Sequence, residues 1–206
     1  MARKNRKIFN SLANSYENAW AKPGPAREKV KKIARMLGLK KGMKVLEPGC
    51  GRGDFSPFIL EKIGASGKLL CVDVAEKMAA CAKKAMKSRP NVKVVTACAS
   101  RTGARESSFD AVVCFNSFPH FYPKEKFIRE FYRVLKPGGM LAVAHDIRRT
   151  RLNSLHRKFG FYMKKHSLPA AGTLKKMLET AGFGISDVFQ NGVFLMRAFK
   201  KRSCVI

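Results

Sequence analysis

The stretch VLEPGCGRGD, residues 45–54, changes character within ten positions. Val45 and Leu46 end the apolar part of "MKVLEP" and read as a buried strand. Gly49, Gly51 and Gly53 then form a loop, and "DFSPFILEKIG" (54–64) reads as the helix that follows. Glycines at alternate positions let the backbone turn tightly and approach a ligand closely. Taken alone, the loop is equally a plain tight turn. Its G-x-G-x-G spacing differs from the dinucleotide fingerprint G-x-G-x-x-G, and an acid, Glu47, stands ahead of it. About 20 residues further on, Asp73 closes the apolar run "LLCVDV", where a carboxylate accepts the two hydroxyls of a ribose. A strand, a glycine loop, a helix and then an acid at the next strand end point to an adenosine-type ligand.

Outward from this core the same alternation continues. "PAREKVKKIARMLGL" places Val30, Ile33 and Leu37 at helical spacing after the Pro-Gly-Pro break at 23–25. "AEKMAACAKKAMK" reads as a helix, "NVKVVTAC" and "FDAVVCFNSF" as strands, and "KEKFIREFYRVLK" as an amphipathic helix through Phe127, Phe131, Val134 and Leu135. "GGMLAVAHD" reads as a fifth strand. Helices over about 148–159 and 173–181 follow, then a closing pair, "GISDVFQ" and "VFLMRAFK". Short apolar strands alternating with helices imply an α/β fold: a doubly wound, mostly parallel seven-stranded sheet with an antiparallel C-terminal edge. We expect one domain over 1–206, with an N-terminal cover segment (1–22) and a helical substrate-side segment (about 146–173). In such sheets ligands bind beyond the carboxyl ends of the strands.

Composition narrows the function classes. The 206 residues are 46% hydrophobic, enough for a buried core. No apolar run reaches the roughly 20 residues that span a bilayer, and the N-terminus is too polar for a secretory core, so a cytoplasmic protein is expected. The six cysteines form no C-x-x-C pair, and Cys204 in "SCVI" lies one position too late for prenylation. Forty-two Lys and Arg against 14 Asp and Glu give a formal charge of +28. That charge attracts RNA or another polyanion, although its spread along the chain also fits solvated helix faces.

With the loop, Asp73 and the later "RVLKPGG" turn (133–139), the chain resembles the class I S-adenosylmethionine-dependent methyltransferases, in particular small single-domain members, over nearly its whole length. The resemblance implies a Rossmann-like fold and S-adenosylmethionine as cofactor. By position, Glu47 and the loop Gly49, Gly51 and Gly53 would hold the methionine end, and Asp73 the ribose. Val74 and Met78 would flank the adenine, and Asn116 would lie near the methionine or reacting end. "IFNSLANSYENAW" is similar to the family's segment over the cofactor. Family members usually carry Asp where this chain has Cys98, so the adenine amino group loses its usual acceptor; the backbone N–H of Ala99 remains.

Four histidines stand at 120, 145, 156 and 166. His120 in "FPHF" and His145 in "AHDIRR" follow successive strand ends. Arg149, Asn153 and His156, at i, i+4 and i+7, share one helix face. Together with His145 they are similar to the pattern H-x-x-x-R-x-x-x-N-x-x-H of a subgroup of small methyltransferases. We expect His120, His145, Arg149, Asn153 and His156 to contact the acceptor, one imidazole acting as base. Two alternatives are that the first two rings only bond strand-end carbonyls while His156 is solvated, and that three imidazoles hold a transition metal. His166 in "KKHSLP" reads as a surface residue. Methyl transfer to a small nucleophilic acceptor is the expected activity. The alternatives are an RNA methyltransferase and a non-catalytic S-adenosylmethionine- or nucleic-acid-binding protein; oligomeric state is not legible.

Overall fold

The computed structural model describes residues 2–13, 18, 20–158 and 166–202. Parts of the expected cover segment (14–17 and 19), the expected helix end at Phe159, residues 160–165 of the substrate-side segment and Cys204 lie outside them. The chain divides into two compact units, Met1–Gly103 and Ala104–Ile206. Among the described residues seven strands, numbered β1 to β7 along the chain, follow the order β3-β2-β1 in the first unit and β4-β5-β7-β6 in the second.

The first unit contains α1 (Ala2–Leu12), α2 (Pro25–Met36), β1 (Lys44–Pro48), α3 (Ser56–Ile63), β2 (Lys68–Asp73), α4 (Glu76–Ala85) and β3 (Val92–Thr96). Its three strands are parallel, with Glu47 level with Cys71 and Asp73 level with Thr96. Val45, Leu46, Cys71 and Val72 are buried completely, as expected of strands covered on both faces. Val30, Ile33 and Leu37 are buried too, which confirms the helical period of α2. The helix α1 was not foreseen from its sequence, where Asn and Ser interrupt the pattern.

The second unit contains β4 (Phe109–Phe115), a 3-10 turn over Phe118–His120, α5 (Lys124–Val134), β5 (Leu135–His145), α6 (Arg149–Lys158), α7 (Ala171–Thr180), β6 (Phe183–Phe189) and β7 (Phe194–Lys200). β4 and β5 run parallel, whereas β7 runs antiparallel to both β5 and β6, giving the expected antiparallel edge. The fifth strand begins at Leu135, three residues earlier than "GGMLAVAHD" suggests, because Leu135 already pairs with Phe109 across the irregularity at the start of β4. Phe127, Phe131, Val134 and Leu135 are buried.

Candidate active site

The first unit's site is built around the carboxylate of Asp73 at the end of β2. Its Oδ2 accepts the Gly51 N–H at 2.8 Å and its Oδ1 accepts the Ala75 N–H at 2.8 Å. Asp73 therefore ties the glycine loop to the start of α4. Burial pushes its pKa up, while the N–H groups of Ala75, Gly51 and Val74 pull it down.

The loop is closed by Gly49 N–H to Val72 O (2.7 Å) and Gly53 N–H to Cys50 O (2.9 Å). At Gly51, φ is +57°, and a Cβ there would meet nothing within 4 Å. The loop thus presents bare backbone to open space, which is where a ligand can approach it. Gly53 has φ of +81° for a different reason: its Cβ would sit 3.3 Å from Ala82 Cβ, so here the loop packs on α4.

Glu47 lies beneath the loop, 2% exposed. Its Oε2 accepts the Ser56 hydroxyl at 2.6 Å and the Cys71 thiol at 3.5 Å. Burial raises its pKa to about 7, against the lowering effect of those two bonds and with Asp54 and Asp73 adding to the rise. Near neutral pH this carboxyl is poised between its two forms. Ser56 is a site residue that sequence reasoning missed; its only signal is a hydroxyl at the first position of the helix after the loop.

Met78 and Ala75 are buried against Ala13, with Phe9 packed on them. The N-terminal helix is held there by Asn10, whose amide donates to Glu76 and accepts from the Lys77 N–H, and by an ion pair between Arg6 and Glu76 at 3.1 Å. Further along, Asn18 donates to Asp54 at 3.0 Å, immediately after the loop. The N-terminal segment thus touches both sides of the candidate cofactor site, next to Gly53 and next to Asp73. Val74 is half-buried and Ala99 buried. Cys98 is half-buried with its sulfur 3.2 Å from Ser100 Oγ.

In the second unit, Asn116 leaves β4 with φ of +51°, a left-handed conformation that asparagine tolerates better than most residues. Its side chain clasps Asp146, donating to Oδ1 at 3.0 Å and accepting the Asp146 N–H at 3.3 Å. The strand-end loops after β4 and β5 are joined by that pair.

The histidines gather. His120 and His166 face each other Nδ1 to Nδ1 at 3.1 Å, and the His120 ring centroid lies 5.1 Å from that of His156 and 5.3 Å from that of His166. His156 Nδ1 donates to the His166 backbone carbonyl. His145 is wholly buried, and neither of its ring nitrogens has a hydrogen-bond partner among the described residues. His166 is also wholly buried, so the surface reading of "KKHSLP" is corrected: the ring turns inward to His120 although its sequence neighbours are basic and polar. His156 is buried as well, which removes the solvated alternative.

Burial holds all four imidazoles below the usual histidine range, His145 at about 3 and His166 at about 4. His120 is additionally pushed down by the neighbouring imidazoles and by Lys124. Lys124 is itself buried beside this turn, its ammonium 5.9 Å above the Phe118 ring, and burial lowers its pKa. These are neutral rings at neutral pH. Among the described residues no group of three or more His, Cys, Asp or Glu side chains is arranged to hold a metal ion.

Asn153 and His156 do share a face of α6, and both turn to the segment 166–168. Asn153 donates to Leu168 O at 3.0 Å and accepts the Leu168 N–H at 2.9 Å. Arg149 is half-buried at the start of the helix. Cys50, Cys71 and Cys114 are buried free thiols, in keeping with cysteines that pack.

A bare glycine loop after a first parallel strand, tied to an acid at the end of the second, defines an α/β enzyme that takes an adenosine-type cofactor. Comparison with known proteins specifies which. Residues 45–139 match the family model described as a methyltransferase domain. A demethylmenaquinone methyltransferase of Staphylococcus aureus (strain MRSA252) is 28% identical over 160 residues, covering 77% of this chain and 66% of that protein. The enzyme of the same name from strain JH9 is 25% identical over 202 residues, covering 86% and 83%. Among solved structures, a SAM-dependent methyltransferase from Aquifex aeolicus superposes with a TM-score of 0.72 at 25% identity, covering 86% of this chain and 94% of that one. These matches support an S-adenosylmethionine-dependent methyltransferase with a Rossmann-like fold. Among the described residues no helix is long and apolar enough to cross a membrane.

Proposed function

We propose that the chain methylates a small nucleophilic acceptor, with Glu47, the loop Gly49, Gly51 and Gly53, and Asp73 serving the cofactor, and the histidines of the second unit serving the acceptor. When bound, S-adenosylmethionine supplies an electrophilic methyl carbon on a sulfonium. The fit of the first unit rests on open space at Gly51 and on a carboxylate with lone pairs to spare for a ribose. Val74, Met78, Cys98 and Ala99 take the adenine side, and Asn116 enters by family position.

One observation carries the acceptor reading. The carbonyl of His166 fixes His156 as the Nδ1–H tautomer, which puts the lone pair on Nε2. Burial keeps that ring neutral, so at pH 7 it is ready to take a proton from a hydroxyl, thiol or amine as its nucleophilic atom gains the methyl group. Asn153, engaged on both sides of its amide by Leu168, holds the segment bearing that carbonyl. His120, His145 and Arg149 line the acceptor side.

RNA methylation is the second reading, favoured by the +28 charge. Charge alone gives salt-sensitive, sequence-independent binding whatever the substrate, and the relatives are named for a demethylmenaquinone, a small acceptor. The test is His156→Gln: methyl transfer should fall about a hundredfold, with S-adenosylmethionine affinity within twofold of wild type. Unchanged turnover on the identified acceptor removes His156 from the chemistry.

A further inference from the structure

His166 touches two of the other three histidines in different ways: its ring meets His120, and its main-chain carbonyl meets His156. A 3.1 Å contact between two imidazole nitrogens demands one proton between them, because two lone pairs repel and two N–H groups clash. In the neutral pair, therefore, one ring is an Nδ1–H donor and the other an Nδ1 acceptor.

The surroundings keep the pair neutral. Among the described residues the charged and titratable groups acting on these two rings are His156 on α6, His145 at the end of β5 and Lys124 at the start of α5, and these three include no carboxylate. Of the four, His120 is half-buried, whereas His145, His156 and His166 are buried. The segment bearing His166 is fixed to α6 by the two bonds between Asn153 and Leu168.

We propose that His166 is a positioning residue of the acceptor site, whose ring shares a single Nδ1 proton with His120 and so orients it, while its carbonyl sets the tautomer and orientation of His156. One residue thereby engages both imidazoles and places the lone pair of His156 on Nε2. The proposal rests on the acceptor-site reading above for its kinetic consequence, though not for the contact itself.

Histidine-selective 15N labelling gives signals from four side chains only, all in this cluster, and imidazole nitrogen shifts distinguish the two tautomers. In the wild-type protein, His156 and one member of the His120–His166 pair should be Nδ1–H. In His166→Ala, the His120 ring nitrogen shifts should move because Nδ1 loses this partner, while His156, which uses a main-chain carbonyl, keeps its own. His166→Asn places an amide where Nδ1 stood and should bring the His120 signals back towards wild type, which also guards against an alanine variant that merely folds poorly. Turnover should fall about tenfold or more in the alanine variant and recover in part in the asparagine variant, with cofactor affinity unmoved.

An unaltered His120 signal in His166→Ala overturns the proposal, as does a wild-type pair with both rings Nε2–H. Histidine signals that shift on adding a chelator overturn it in favour of a bridging metal. If the His120 signal responds as described but turnover does not, the contact stands and the acceptor-site reading beneath it falls.

Discussion

Replacing His145 by Leu should change how stability responds to pH. His145 is wholly buried at the end of β5, neither ring nitrogen has a hydrogen-bond partner among the described residues, and burial lowers its pKa to about 3. In the unfolded chain the same ring titrates near 6.5. Below that value the unfolded state binds a proton that the folded state refuses, so the folded state loses ground as pH falls from 6.5 towards 3. Between pH 7 and pH 5 the unfolded ring gains about 1.4 pH units of protonation free energy, or about 2 kcal/mol at 1.36 kcal/mol per unit.

Glu47 acts in the opposite sense. Its folded value of about 7 lies above its unfolded one, so it favours the folded state as pH falls through 7. The difference between wild type and His145→Leu cancels Glu47 and isolates His145. Urea unfolding at pH 7 and pH 5 should show the variant gaining about 2 kcal/mol on the wild type at the lower pH. At pH 7 it should be no less stable by more than about 1 kcal/mol, because Leu removes two unsatisfied nitrogens while adding little volume. Parallel pH dependence in the two proteins would refute the reasoning, for His145 would then be protonated or solvated in the native state.

Asp73→Ala should weaken S-adenosylmethionine binding by about 1.5–3 kcal/mol in calorimetric titration, and should also destabilise the free protein by about 2–4 kcal/mol, since the Gly51 and Ala75 N–H groups lose their acceptor. Unchanged affinity with lowered stability would leave Asp73 a loop tie alone. Affinity for the positively charged cofactor should rise with pH through about 7 as Glu47 ionises, and Glu47→Gln should flatten that rise; a wild-type affinity level between pH 6 and 8 would contradict a role for the carboxylate.

Much of the fold is written in local patterns. The strand–loop–helix at 45–64 and the amphipathic helix of Phe127 and Phe131 need only their own period to be read, and the antiparallel closing pair follows from two short apolar runs around a turn. Asp73 could be picked out because the acid ends the strand that follows a glycine loop and helix, an order that a helix cap alone does not require. The helix α1 escaped because its stability comes from Ala13, Phe9 and Asn10 meeting α4, contacts some 65 residues apart that no window reveals. His166 escaped for a related reason. Its neighbours are Lys164, Lys165 and Ser167, which spell a surface, whereas its burial is decided by His120 and by the Asn153 clamp on Leu168. Asn153 itself was placed correctly on the helix face, yet its amide is engaged by the backbone, a use that spacing cannot distinguish from contact with an acceptor.

Methyl transfer itself gives the most direct test. The protein is incubated with S-adenosylmethionine labelled in its methyl group, together with a panel of small phenols, quinols, thiols and amines and with total RNA, at physiological salt. The account predicts label in a small acceptor, lost in His156→Gln and retained in a variant that removes surface lysines. Label entering RNA instead, indifferent to His156, would contradict it.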